Sequence, residues 1–330
     1  MSCCVAGAQP TPPALAPSEI VAAAPASDWT DIAPSDLVVM VLAPDRDGKN
    51  RRVVIQLMPA PFSQGWVGNI RTLVAARWYD GVSINRVQDN YVVQWGDANA
   101  DDKAKAKGLP LALQSTVSEK FENLPSSVNS KELTEFLEFV RVLYERADRG
   151  DMRDYHYGSP GALAFPRKNW RGRDHYAWFT GFARGWPIAS ENDGAWPVHC
   201  YGMVGVGRGM PPDTGSGAEL YTVIGHAPRH LDRNIALVGR VISGVEHLSS
   251  LPRGTGPLGF YEKAGQRVPI VSVRMGNEVS GLPRYQYLTT ESTSFATYAD
   301  ARANRRDPFF ITPAGGADIC NIPVPVRVVP

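Results

Sequence analysis

Apolar and polar positions alternate strictly in two short segments of the first third of the chain. In residues 83–87, Ile84 and Arg86 take one parity while Ser83, Asn85 and Val87 take the other; in residues 91–94, Tyr91 and Val93 alternate with Val92 and Gln94. Such alternation sends successive side chains to opposite faces of a strand. Gln88, Asp89 and Asn90 between them suit a hairpin turn. The pattern therefore predicts Arg86 and Gln94 on one sheet face, close to Tyr91. Apolar runs at residues 37–43 and 52–58 predict two further strands, joined by the turn residues 45–48. Residues 62–78 predict a helix with Trp66, Ile70, Leu73, Val74 and Arg77 along one face, weakened by Gly65 and Gly68. Later strands are expected at 199–206, 219–224, 235–241 and 268–275, with a short helix at 244–251.

Many short strands, two helices and frequent Gly/Pro turns define a mainly β fold, a closed antiparallel barrel capped by two helices. Residues 98–196 interrupt it as a large helical and irregular insertion. Within the insertion, Asn129 caps a helix over 129–149 with Glu132 at the capping-box position. Residues 155–196 read as an aromatic-rich loop pinned to the body by side chains such as Trp170, Trp178 and Trp186. The Ala/Pro-rich residues 1–35 read as a flexible leader, without the basic start and apolar stretch of a secretory signal. Residues 277–330 form a C-terminal extension with a helix at 293–305 and a Pro/Gly-rich tail.

Charge narrows the partners. With 34 Lys and Arg against 33 Asp and Glu, the net charge of +1 gives no electrostatic support for nucleic acid or an anionic membrane. No apolar run is long enough to span a bilayer. His226 and His230 have metal-like spacing but no evident third ligand, so no metal or other cofactor is expected. The glycine-rich residues 205–217 lack the Lys-Ser/Thr ending of a phosphate loop. Asp213 and Asp232 read as turn residues. Cys200 and Cys320 are either a bridge tying the extension to the barrel or two buried thiols; a bridge implies an oxidising compartment.

Residues 84–97, INRVQDNYVVQWGD, resemble the core motif of the cyclophilin family of peptidyl-prolyl isomerases: the arginine, the aromatic five residues on, the glutamine three later and the closing Gly-Asp are in register. A second segment, residues 215–254, resembles the family's distal motif around Leu231-Asp232. The resemblance implies a cyclophilin-like domain over 36–276. It implies catalytic roles for Arg86 and Gln94 and a proline pocket walled by Tyr91, Val92, Tyr221 and Leu231. Gly205 matches a position that contacts substrate through its main chain, and Val204 beside it narrows the neighbouring pocket. His230 replaces a frequent tryptophan, which implies weak inhibition by cyclosporin, and Ile235 replaces a pocket histidine. Asn85 stands where a histidine is usual. Trp95 replaces a glycine, and its bulk is expected to move Gln94 or cover the groove. The implied activity is cis-trans isomerisation of X-Pro bonds in proline-containing polypeptides by a monomer, in a periplasm or outside the cell, otherwise in the cytoplasm. The alternative is a non-catalytic module or chaperone that binds proline segments.

Overall fold

The computed structural model describes residues 13–113, 174–177, 179–191 and 194–329. The expected helix at 129–149 lies outside them. The first strands are β1 (Trp29–Ile32), β2 (Leu37–Leu42), β3 (Arg51–Leu57), β4 (Ser83–Val87) and β5 (Val92–Gly96). Then come β6 (Phe179–Ala183), β7 (Trp186–Glu191), β8 (Gly194–Pro197), β9 (Met203–Val206), β10 (Leu220–Val223), β11 (Leu237–Ser243) and β12 (Val268–Met275). The extension supplies β13 (Tyr285–Leu288) and β14 (Val326–Val328). Helices α1 (Pro17–Ala23), α2 (Gln64–Ala75), α3 (Glu246–Ser249) and α4 (Thr293–Ala303) complete the described regular elements longer than one turn of 3-10 helix. None of these helices is long and apolar enough to cross a membrane.

Eight strands close an antiparallel barrel in the order β10-β5-β4-β12-β2-β3-β11-β9, as the mainly β reading expects. The near-continuous apolar runs of β2 and β3 have a cause, for both faces are covered. Val38, Met40, Leu42, Val53, Ile55 and Leu57 fill the interior. Leu37 and Val54 face outward and are covered by Ile32 and Tyr285 from a second sheet, ordered β1-β13-β14. Each fully buried aliphatic side chain of this kind stabilises the fold by about 1.5–3 kcal/mol. Helix α2 contributes Trp66, Val67, Ile70, Leu73 and Val74 to the interior. Arg77 departs from the expected face. It lies past the helix end at φ +55°, is exposed, and pairs with Glu278 at 2.9 Å.

Two segments read as irregular are built into the fold. Residues 17–35, expected to be part of a flexible leader, form α1 and β1; Ile20 and Trp29 are buried, α1 packs on α4, and Trp29 to Ile32 pair with Leu288 to Tyr285. Residues 179–197, expected to be loop, form a three-stranded sheet, β6-β7-β8. Arg184 and Gly185, at φ +51° and +83°, make the two-residue turn between β6 and β7, the geometry that matches strand twist. That turn nests in the extension: Arg184 N donates to Glu291 at 2.8 Å and Gly185 N to Thr290 at 3.0 Å. Arg240 of β11 locks the junction. It donates to Gly185 O at 2.6 Å and Gln56 Oε1 at 2.9 Å, and its guanidinium lies 4.5 Å from the Trp186 ring centroid. Burial lowers its pKa to about 10, still well above neutrality.

The extension is also tied covalently, since Cys200 and Cys320 form a disulfide across a sequence separation of 120. Cys200 lies just before β9, which begins at Met203 rather than at the expected 199.

Candidate functional site

Arg86 pairs with Gln94 across β4 and β5, Gln94 with Tyr221 across β5 and β10, and Tyr221 with Gly205 across β10 and β9. Directly opposed residues project from the same face of a sheet. The four therefore form one transverse row on the outside of the barrel. The intervening positions Val93, Trp95, Leu220, Val204 and Val206 point into the interior.

A bulge aims the arginine. Register runs Ile84 to Trp95 and then Arg86 to Gln94, so Asn85 is the extra residue. A bulge re-aims the side chains beyond it. Ile84 and Val87 thus both enter the core, at 0 % exposure, while Arg86 turns outward, against the strict alternation expected. The Asn85 side chain donates to Gly96 O at 3.0 Å and pins the bulge.

The Arg86 guanidinium is held on three sides. Its Nε donates to Leu258 O at 2.7 Å, one Nη to Gln94 Oε1 at 2.9 Å, and the other Nη to Gln88 Oε1. Of five N–H groups, these bonds use three, which leaves one on each terminal nitrogen. Tyr91 and Phe260 flank the cation at 5.6 and 5.5 Å from their ring centroids. Burial depresses the Arg86 pKa from its ordinary value, but a guanidinium stays charged at working pH. Gln94 is held in turn, its Nε2 donating to Glu219 Oε1 at 2.6 Å. Burial raises the Glu219 carboxyl, with the Gln94 hydrogen bond acting against it.

Beside the arginine lies an apolar cluster of Val92, Tyr221 and Val223, against which the half-buried Tyr91, Leu231 and Ile235 pack. His230 is exposed at the rim and stacks on Tyr91, with ring centroids 6.2 Å apart and planes at 12°. The structure thus brings together Arg86, Gln94, Tyr91, Val92, Tyr221, Leu231, Ile235 and His230. Two expectations are corrected. Val204 is 1 % exposed inside the barrel and cannot narrow a groove on the outside. Trp95 also points inward, 2 % exposed, and neither covers the groove nor displaces Gln94. Gly205 is buried beneath the Tyr221 ring, where a Cβ would lie 2.3 Å from Tyr221 Cζ, so the absence of a side chain makes room for that ring. Gly205→Ala is expected to lower stability by about 1–3 kcal/mol through overpacking, read as an earlier urea midpoint at unchanged slope; an unchanged midpoint would show that the ring can move aside.

A buried polar chain runs behind Tyr221. The Tyr221 hydroxyl lies 2.8 Å from His199 Nε2, and His199 Nδ1 lies 2.8 Å from Asp232 Oδ1. Arg229 Nε donates to Asp232 Oδ2 at 2.6 Å, and its terminal nitrogens donate to Asp174 at 2.6 and 2.8 Å. Asp232 does lie in a turn, as expected, but its side chain is committed to His199 and Arg229. Burial pushes its carboxyl up, but the hydrogen bonds from His199 and Arg229, with the Arg229 charge, outweigh this and hold it below the ordinary range. Asp213 does act in a turn, accepting from Gly209 N and Gly215 N. Glu219, Phe260, Gln88 and His199 are the site neighbours that sequence reading missed. Glu219 had a usable signal, lying two residues before Tyr221 and hence on the same strand face. Among the described residues, no three His, Cys, Asp or Glu side chains gather as metal ligands.

A closed eight-stranded barrel thus carries an arginine, a glutamine and an apolar cluster together on its outer face. The model of the cyclophilin type peptidyl-prolyl cis-trans isomerase/CLD family matches residues 49–275, and the chain belongs to that family. Among solved structures it is similar to the cyclophilin AquaCyp293 from Hirschia baltica, 20% identical, covering 91% of this chain and 93% of that one at a TM-score of 0.54. A cyclophilin type peptidyl-prolyl cis-trans isomerase from Cryptosporidium parvum matches at 10% identity over 73% of this chain and 96% of that one, TM-score 0.36. Among curated proteins none matches this chain.

Proposed function

We propose that this chain accelerates cis-trans isomerisation of X-Pro bonds in polypeptides, with Arg86 as the catalytic cation. Amide resonance sets a barrier of about 18–20 kcal/mol, and uncatalysed exchange takes tens of seconds or more. Reaching milliseconds requires lowering that barrier by roughly 5–6 kcal/mol. No nucleophile is needed. A donor near the prolyl nitrogen favours a pyramidal nitrogen whose lone pair no longer conjugates, while an apolar surface holds the ring as the preceding carbonyl swings.

The observation that carries this reading is the fixed guanidinium beside the Val92–Tyr221–Val223 cluster. The cluster is covered by Tyr91, Leu231 and Ile235, so a proline ring reaches it by moving these side chains apart. Gln94 orients the cation and Glu219 orients Gln94. Residues 36–276 are the isomerase unit in this reading, with 98–196 inserted and 277–330 appended. The disulfide supports an oxidising compartment, a periplasm or the exterior. A second reading, binding without turnover, draws on the three bonds Arg86 already makes to its own chain.

Exchange spectroscopy on a short Ala-Pro peptide separates the two. With a few per cent of protein present, cross-peaks between cis and trans resonances are expected at mixing times where the peptide alone shows none. Shifted peptide resonances without cross-peaks would leave only the binding module.

A further inference from the structure

The polar chain behind Tyr221 is aimed at the proline pocket and has no part in the electrostatic step. Asp232 accepts hydrogen bonds on both oxygens: from His199 N at 2.9 Å and His199 Nδ1 at 2.8 Å on Oδ1, and from Arg229 at 2.6 Å on Oδ2. A carboxylate only accepts, so Nδ1 must carry a proton. In the neutral imidazole, Nε2 is then the acceptor for the Tyr221 hydroxyl. With a neutral ring the bonds run from tyrosine through histidine to the acid, and in either protonation state Nδ1 donates to Asp232 and Nε2 stays bonded to the Tyr221 hydroxyl. His199, Arg229, Asp232 and Tyr221 are 0, 3, 6 and 4 % exposed, so water does not compete for these bonds. Buried networks with every member satisfied rigidify what they hold. What this one holds is the Tyr221 ring, lying across Gly205 and forming the cluster with Val92 and Val223. At its far end Arg229 is clasped by Asp174 and lies 3.8 Å from Asp318. Asp318 also caps the turn that bears Cys320, and Cys200 follows His199 in the chain.

We propose that His199, Asp232 and Arg229 are positioning residues that pin the Tyr221 ring across Gly205 and so set how tightly the pocket grips proline, leaving the rotation step to Arg86. This rests on the isomerase reading of the same groove. The pin is anchored both on the segment that returns from the insertion, through Asp174, and on the extension, through Asp318 and the disulfide.

The test uses the full chain, an Ala-Pro peptide and NMR line-shape analysis, which separates affinity from the on-enzyme exchange rate. Tyr221→Phe keeps the ring and deletes only the hydroxyl; it is expected to weaken peptide binding about three- to tenfold, with on-enzyme exchange changed less than twofold. Asp232→Asn is expected to do the same, and the double variant to be no worse than Asp232→Asn alone, because both cut one chain of bonds. A protected imidazole N–H resonance from His199 is expected in the wild type and in Tyr221→Phe, and lost in Asp232→Asn. If Asp232→Asn fails to fold, Tyr221→Phe decides alone. A merely structural role predicts lower melting temperatures with unchanged affinity at 25 °C, and that result overturns the proposal. Wild-type protein that neither binds nor exchanges the peptide overturns the reading of the groove and this inference together; a working wild type with unchanged variants overturns the inference alone.

Discussion

Arg86→Ala is expected to cut kcat/KM for an Ala-Pro peptide by about 10²–10³-fold, or roughly 2.7–4 kcal/mol, the scale of losing one preorganised donor. The loss is expected in kcat, because the arginine acts where the nitrogen pyramidalises and the pocket that binds the ring remains. The fold is expected to survive, since β4 is anchored by Ile84 and Val87, both fully buried, and not by Arg86. Matching far-UV spectra and urea midpoints would verify this. Arg86→Lys sharpens the case. It keeps a positive charge but cannot reach Leu258 O, Gln94 and Gln88 together with one planar fork. Recovery of under a tenth of the wild-type rate is expected. An alanine variant as fast as wild type would remove electrostatic assistance from the mechanism and leave the pocket as the sole contributor.

The same arginine marks the limit of what the sequence discloses. Its place beside Gln94 was legible from period-two alternation on two adjacent strands, and the barrel followed from repeated runs of that kind. The bulge at Asn85 was not legible. Residues 83–87 alternate without a break, and only pairing with β5 shows that one residue is skipped. Parity errors elsewhere have the same origin. Val204 and Gly205 are adjacent, so the one facing the groove is decided by Gly205 pairing with Tyr221 more than ten residues away. Asp232 followed by Arg233 and Asn234 has turn chemistry in sequence; its buried partner His199 comes from another part of the chain. The Ala/Pro-rich start read as unable to bury itself because its cover, α4 and β13, lies more than 250 residues on. The β6–β7 turn carries Arg-Gly in place of the commoner Asn-Gly signal, and its aromatic strands read as loop. Apart from that turn, each miss is a long-range partner overriding a local pattern.

The extension presents the second large effect. Replacing Cys200 and Cys320 together by serine is expected to destabilise the protein by roughly 4–5 kcal/mol in the chain-entropy model, because the bond closes a long loop and restricts the unfolded chain. The sequence separation of 120 puts it at the upper end of that scale. The folded state keeps other ties. Phe295, Tyr298, Ala299, Ile319 and Ile322 belong to the same apolar core as the barrel, and Phe295 meets Phe182 edge-on at 5.0 Å. The Tyr298 hydroxyl donates to Pro323 O at 2.7 Å. The extension should therefore stay docked in the serine variant under native conditions, and the loss should show as one cooperative transition at lower urea with the slope raised, since the unfolded chain is freed. Two separate transitions would mean that the extension undocks by itself and that its apolar contacts are weaker than their burial implies. Coincident curves for wild type and variant would show that the bond adds nothing to a fold already held by packing. The groove provides a further check, because Cys200 adjoins His199 and Asp318 adjoins Arg229. If the bond steadies the Tyr221 pin, peptide affinity in the serine variant falls before the global midpoint is reached; if it only restrains the unfolded chain, affinity holds until the whole molecule unfolds.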